Sequence, residues 1–202
     1  MENNKNNQGD DFYQKAISLY RRKNYDYAIE LFGQSLNDNP NFPDCQRYLW
    51  DSIRQKNTLN KKSLFSLIYK KTKIILLTLK FLILNLGKKD AQMLKLIHDI
   101  IMIDPNNISA FFKLSNFYIQ TKQKDLAITA LEEIISINKN NLQALKILAD
   151  IYYTKKLYEK AKLIAIKILN ITPHYLPAEN ILNDISALNT IEKGFDEIKP
   201  AT

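Results

Sequence analysis

Residues 108–141 read ISAFFKLSNFYIQTKQKDLAITALEEIISINKNN, and residues 142–175, LQALKILADIYYTKKLYEKAKLIAIKILNITPHY, align beneath them without a gap. The period is 34 residues. In each copy, apolar residues recur at the three-to-four spacing of one helical face, pause at a short polar turn, and resume. Ile108–Gln120 and Leu126–Ile137 are the two predicted helices of the first copy, and Leu142–Thr154 and Tyr158–Ile171 those of the second. Asn138–Asn141 and Thr172-Pro173-His174 close the pairs. Asn and Pro stop helices and turn the chain.

The period extends backwards. Ile74–Asn107 is a third copy, and a fourth, from Gln8 or Gly9 to about Phe42, stands apart near the N-terminus. There Phe12, Ala16, Leu19 and Tyr20 form one face and Tyr27, Ala28, Leu31, Phe32 and Leu36 another. A helical hairpin of this size cannot bury its apolar face alone and must stack on a neighbour. After the last copy, Leu176–Leu188 predicts one more helix, with Pro177 suited to its first turn. Its apolar face (Ile181, Leu182, Ile185, Leu188) is what covers the end of an array. Residues 1–10 are polar and expected to be disordered, and a flexible tail is expected over 189–202, where Gly194 and Pro200 end any helix.

The matching positions resemble those of the tetratricopeptide repeat family. Near the N-terminus they are Phe12, Ala16, Leu19, Tyr25, Ala28, Phe32 and Pro40. In the copy from Ile108 they are Phe111, Leu114, Ser115, Tyr118, Ala127 and Leu131, with Lys139 in place of proline. In the copy from Leu142 they are Leu145, Leu148, Ala149, Tyr152, Tyr158, Ala161, Ala165 and Pro173. Small residues let two helices approach, and large ones fill the gaps beside them. The resemblance implies an all-α fold: helix–turn–helix repeats stacked in a short right-handed α-solenoid with a C-terminal capping helix. The expected order is a repeat plus an extra helix over 11–56, a basic linker over 57–73, and three repeats with the cap over 74–188.

The copy from Ile74 is degenerate. Phe81 and Met93 stand where small residues belong, Lys80 where a large apolar one does, and only Asp104-Pro105-Asn106 matches well. No Gly or Pro interrupts 61–86, which predicts one long helix whose second half serves as the first helix of this copy. A fifth degenerate repeat over Pro43–Lys73, three residues short of the period, is the alternative. Lys70, Lys71, Lys73 and Lys80 disfavour a bilayer span. A buried repeat helix is expected, with a helix lying on an anionic membrane as the alternative.

Of 202 residues, 46% are hydrophobic, and only 4 Gly and 6 Pro are present, which argues against a turn-rich β fold. A single cysteine, Cys45, excludes an internal disulfide and fits a reducing, cytoplasmic compartment. The N-terminus has no apolar run of the secretory type. The net charge of +8 is local: no acid lies between Asp51 and Asp90, an interval holding ten of the 29 bases. The other 19 bases stand against 21 acids. With four arginines in all, that balance argues against nucleic acid as the partner.

Catalytic and cofactor chemistry lacks a pattern. His98, His174 and Cys45 form no constellation with a third orienting group, and zinc, phosphate-loop and calcium-loop spacings are missing. No enzyme, cofactor or metal is therefore expected. The family resemblance implies a peptide-binding groove on the inner faces of the first helices. By repeat position it comprises Tyr13, Ile17 and Tyr20, then Thr78 and Leu82, then Phe112, Asn116 and Ile119, then Lys146, Asp150 and Tyr153. Asn116 matches one position of the clamp with which some family members hold chaperone C-termini, but Phe112 occupies a lysine position, which disfavours that role. The expected function is a scaffold that grips a peptide or helix of another protein. The alternative is a membrane-peripheral adaptor that docks through the basic helix 61–73, using Lys61, Lys62, Lys70, Lys71 and Lys73.

Overall fold

The computed structural model describes residues 2–59, 64–86 and 90–198; side chains are described for a subset of these, leaving out 2–8, 64–67, 82–86, 90, 189 and 191–198. Every element among them is an α-helix: α1 Glu2–Arg21, α2 Tyr25–Asp38, α3 Pro43–Leu59, α4 Leu64–Leu86, α5 Asp90–Ile103, α6 Ile108–Gln120, α7 Lys124–Ile137, α8 Leu142–Thr154, α9 Tyr158–Ile171 and α10 Leu176–Ile198. The chain forms two compact units, Met1–Glu133 and Ile134–Thr202, divided within α7.

The turns explain why the helices pair. Lys23, Lys122 and Lys156 all adopt positive φ, near 60°. In each, the turn lysine's N–H bonds back to the helix: Lys23 to Tyr20, Lys122 to Ile119 and Lys156 to Tyr153. The next residue's N–H reaches one residue deeper, Asn24 to Leu19, Gln123 to Tyr118 and Leu157 to Tyr152, at 2.8–2.9 Å. This double closure satisfies carbonyls that the helix end would otherwise leave unpaired. The helix starts repeat too. Asn107 Oδ1 accepts from Ala110 N and Asn141 Oδ1 from Ala144 N, each at 3.0 Å. Asparagine at these starts therefore has a capping role.

In the first compact unit, Ala16 of α1 and Ala28 of α2 are fully buried beside Phe32. Helix α1 starts at Glu2, well before the Asp11 expected, because its early turns have something to hold. Gly9 is buried, and its carbonyl accepts a 2.8 Å bond from the Ser35 hydroxyl of α2. A Cβ at Gly9 would meet the Asp38 Cβ at 3.3 Å, so glycine permits the close approach. Helix α3 packs on α2 through Cys45, whose thiol donates to the Phe32 carbonyl at 3.5 Å.

Helix α3 also reaches forward. Trp50, 1% exposed, meets Phe111 of α6 edge-on with ring centroids 5.0 Å apart. Gln46 Nε2 donates to the Tyr118 hydroxyl at 3.1 Å. Arg47 and Arg54 pair with Glu132 and Glu133 of α7. Helix α4 packs on α5, and α5 on α6. The expectation that α4 is a buried repeat helix needs correction. Ile75, Leu76 and Leu79 are more than half exposed, because α3 fills the space beside Phe111. The linker expected from residue 57 is helical through Leu59; residues 60–63 lie outside the described part, so the continuity expected over 61–86 is seen only over Leu64–Leu86.

In the second compact unit, α8 and α9 cross at Ala149 and Ala165, and α10 lies against them through Ala178, Ile181 and Leu182. Helix α10 runs to Ile198, through Gly194, where a helix end was expected. One glycine costs a helix about 1 kcal/mol and need not end it.

Two outcomes follow for equilibrium unfolding. Trp50→Ala, which empties a fully buried site, lowers stability by about 3–5 kcal/mol. Lys156→Gly relieves the left-handed backbone of a residue bearing a Cβ and raises stability by about 1 kcal/mol.

Candidate functional site

Helix α8 places Lys146, Asp150 and Tyr153 on one face, at i, i+4 and i+7. The opposite face carries Leu145, Leu148 and Tyr152 into the core, which fixes the helix rotation. The three polar residues line an open cleft of about 400 Å³ in the second compact unit, whose far wall is α10. From α10 come Asn180 and Asp184, with Tyr175 and Pro177 at one end.

The Tyr153 hydroxyl donates to Asp184 Oδ2 at 2.9 Å. That hydrogen bond, more than burial, holds the Tyr153 phenol above its ordinary pKa. The Lys146 ammonium sits 3.9 Å from the centre of the Tyr175 ring, within cation–π range. Asp150 is exposed. The cleft thus combines two carboxylates, one ammonium already set against a ring, an amide and two phenols. Such a surface can hydrogen-bond a polar chain segment and attracts its positive groups.

Asn180 and Asp184 were missed by the sequence reasoning, yet a signal was there. They stand one 34-residue period after Lys146 and Asp150. Carrying the repeat grammar one step into the capping helix finds both.

The other predicted groove residues have different fates. Phe112, Asn116 and Ile119 lie along one strip of α6 in the first compact unit, half-buried, exposed and exposed. Tyr13, Ile17 and Tyr20 do not form an open groove. Tyr13 packs at an angle against the rings of Phe32, Phe42 and Tyr48, Ile17 is in the core, and Tyr20 donates to Asp51 of α3. That bond and partial burial push the Tyr20 phenol up to about 12. Helix α3 covers the face that an isolated hairpin would leave bare. Thr78, on α4, turns its hydroxyl back to the Ile74 carbonyl at 2.8 Å. The Leu82 side chain lies outside the described part.

Of the predicted basic contacts, Lys61 and Lys62 lie outside the described residues. Lys70 is half-buried and bonds Asn57 Oδ1 at 3.4 Å; Lys71 and Lys73 are exposed. Burial pushes the Cys45 thiol up to about 11, so it is protonated at neutral pH. Burial lowers the pKa of His98, and Asp99 opposes the shift. Among the described residues, no group of three or more His, Cys, Asp or Glu is placed to hold a metal.

A family model described as tetratricopeptide repeat matches residues 108–141. No curated protein matches the chain. Similar solved structures include the first tetratricopeptide domain of Spaghetti (RPAP3), bound to an HSP90 peptide, at 18% identity and TM-score 0.49, covering 59% of this chain and 94% of that one. YrrB, described as having an unusual peptide-binding site, is 12% identical with TM-score 0.45, covering 85% and 90%. TTC0263 of Thermus thermophilus is 17% identical with TM-score 0.43, covering 89% and 99%. The family model thus covers a single repeat, and the asparagine cap and left-handed lysine turn of that repeat recur one period later.

Proposed function

We propose that the chain is a non-enzymatic scaffold that grips a peptide segment or helix of another protein, with the α8–α10 cleft as its principal seat. Tetratricopeptide-repeat proteins are in general interaction modules, and a helical repeat without a catalytic constellation suits that role. The observation that carries the proposal is the convergence of Lys146, Asp150 and Tyr153 with Asn180 and Asp184 on one open cleft. An extended segment presents unpaired backbone donors and acceptors at every residue, and a polar wall of this kind can meet them. Two carboxylates against one ammonium favour a segment carrying Lys or Arg. The α6 strip of Phe112, Asn116 and Ile119 is a second contact surface of more apolar character.

Affinity capture of partners, quantified by mass spectrometry, tests this with Tyr153→Ala and Asp150→Lys. Both positions lie outside the core, so the unfolding midpoint stays nearly unchanged. Captured partner falls at least about tenfold, the size of one lost charge-assisted contact. Unchanged capture removes the cleft from the account, and a collapse in stability reassigns Tyr153 to the core. Phe112→Ala, run separately, asks the same of the α6 strip.

A further inference from the structure

Helix α4 carries a face that no part of the described chain covers. Ile68, Tyr69, Ile75, Leu76 and Leu79 are 53–68% exposed. No other helix exposes more than three large apolar residues among the described ones. These five are not scattered. Ile68, Ile75 and Leu79 fall on one line, at i, i+7 and i+11, and Tyr69 and Leu76 lie beside it. The opposite side, with Ile74, Leu77 and Phe81, is half-buried. The helix is therefore apolar on its inner and outer sides alike, and among the described residues only the inner side is half-buried.

Charge frames the outer face. Lys71 borders it on one side, and Lys73 and Lys80 on the other, all three exposed. The Lys73 ammonium lies 5.9 Å from the centre of the Tyr69 ring, at the border itself. No acidic residue lies between Asp51 and Asp90. From Ile68 to Leu79 the stripe is about 16 Å long at 1.5 Å per residue.

We infer that this face docks on an anionic lipid bilayer, with α4 parallel to the surface, its apolar stripe in the acyl boundary and its lysines among the headgroup phosphates. Charge decides between the occupants. A second copy offered through the same face would bring the lysines of one α4 against those of the other, and α4 itself carries no acid to pair with them. A bilayer containing phosphatidylserine supplies both an apolar interior and a negative plane, in that order from the stripe outwards. The helix lies along the membrane: among the described residues no helix is long and apolar enough to cross one. This surface is separate from the α8–α10 cleft, so peptide capture and lipid binding can fail independently. It also differs from purely electrostatic docking through 61–73, because the apolar stripe contributes.

Vesicle flotation of the full chain tests the inference, with phosphatidylcholine alone and with phosphatidylserine added at about one part in three. The chain floats with the mixed vesicles and not with phosphatidylcholine alone, and raising salt weakens binding. A lysine near an anionic surface contributes roughly fivefold in affinity, so Lys71→Glu/Lys73→Glu/Lys80→Glu loses at least about 100-fold. Leu76→Ser/Leu79→Ser, at exposed positions that leave the fold intact, loses about tenfold or more while keeping its charge. The inference is overturned if the wild type floats with neither vesicle or equally with both, or if either variant binds like the wild type. It is also overturned if sedimentation shows a dimer that Leu76→Ser/Leu79→Ser dissolves, which would assign the face to a second copy.

Discussion

The edge-on contact of Trp50 with Phe111 decides what every neighbouring helix can do. A fully buried indole excludes any other side chain from the space beside α6. Polar contacts then fix the direction of α3. Gln46 bonds Tyr118, while Arg47 and Arg54 take carboxylates from successive residues of α7, one of them, Glu133, almost wholly buried. A buried ion pair adds little net stability, because desolvation offsets attraction, but a wrong helix orientation would leave its charges unpaired. The pairing thus selects one rotation of α3 more than it strengthens the core.

Once α3 occupies that place, the rest of the first compact unit follows. Helix α4 can use α5 on one side only, and its outer face stays bare. Helix α3 also screens Tyr13, Ile17 and Tyr20, so the N-terminal hairpin contributes packing where a groove was expected. Open polar surface of the repeat type is found instead in the second compact unit, where α10 stands opposite α8 as a further first helix would.

What could be read from the sequence was local. The 34-residue period and the turns at Lys122 and Lys156 depend on residues a few positions apart, so their chemistry is visible in order along the chain, whereas Asn141, read as a helix stop, also caps the next helix. Lys146, Asp150 and Tyr153 were legible for the same reason: helical spacing puts them on one face whatever the neighbour is. Two things were not local. Whether α3 or α4 lies beside α6 depends on which helix fits Phe111, and both offer an apolar face; the period pointed to α4 because Asp104-Pro105 keeps its register. The early start of α1 depends on Gly9 meeting Ser35, 26 residues away, which composition reads as a polar tail.

Single-cysteine labelling tests most directly the claim that α3 takes the buried place and leaves α4 half bare. Cys45 is fully buried and gives a silent background. Leu76→Cys and Leu79→Cys, on the outer face, should react with a soluble thiol reagent at rates near that of a free thiol, while Ile97→Cys, buried on α5, stays protected until the chain unfolds. Protection of Leu76→Cys and Leu79→Cys comparable to that of Ile97→Cys in the monomeric, lipid-free chain would contradict the account.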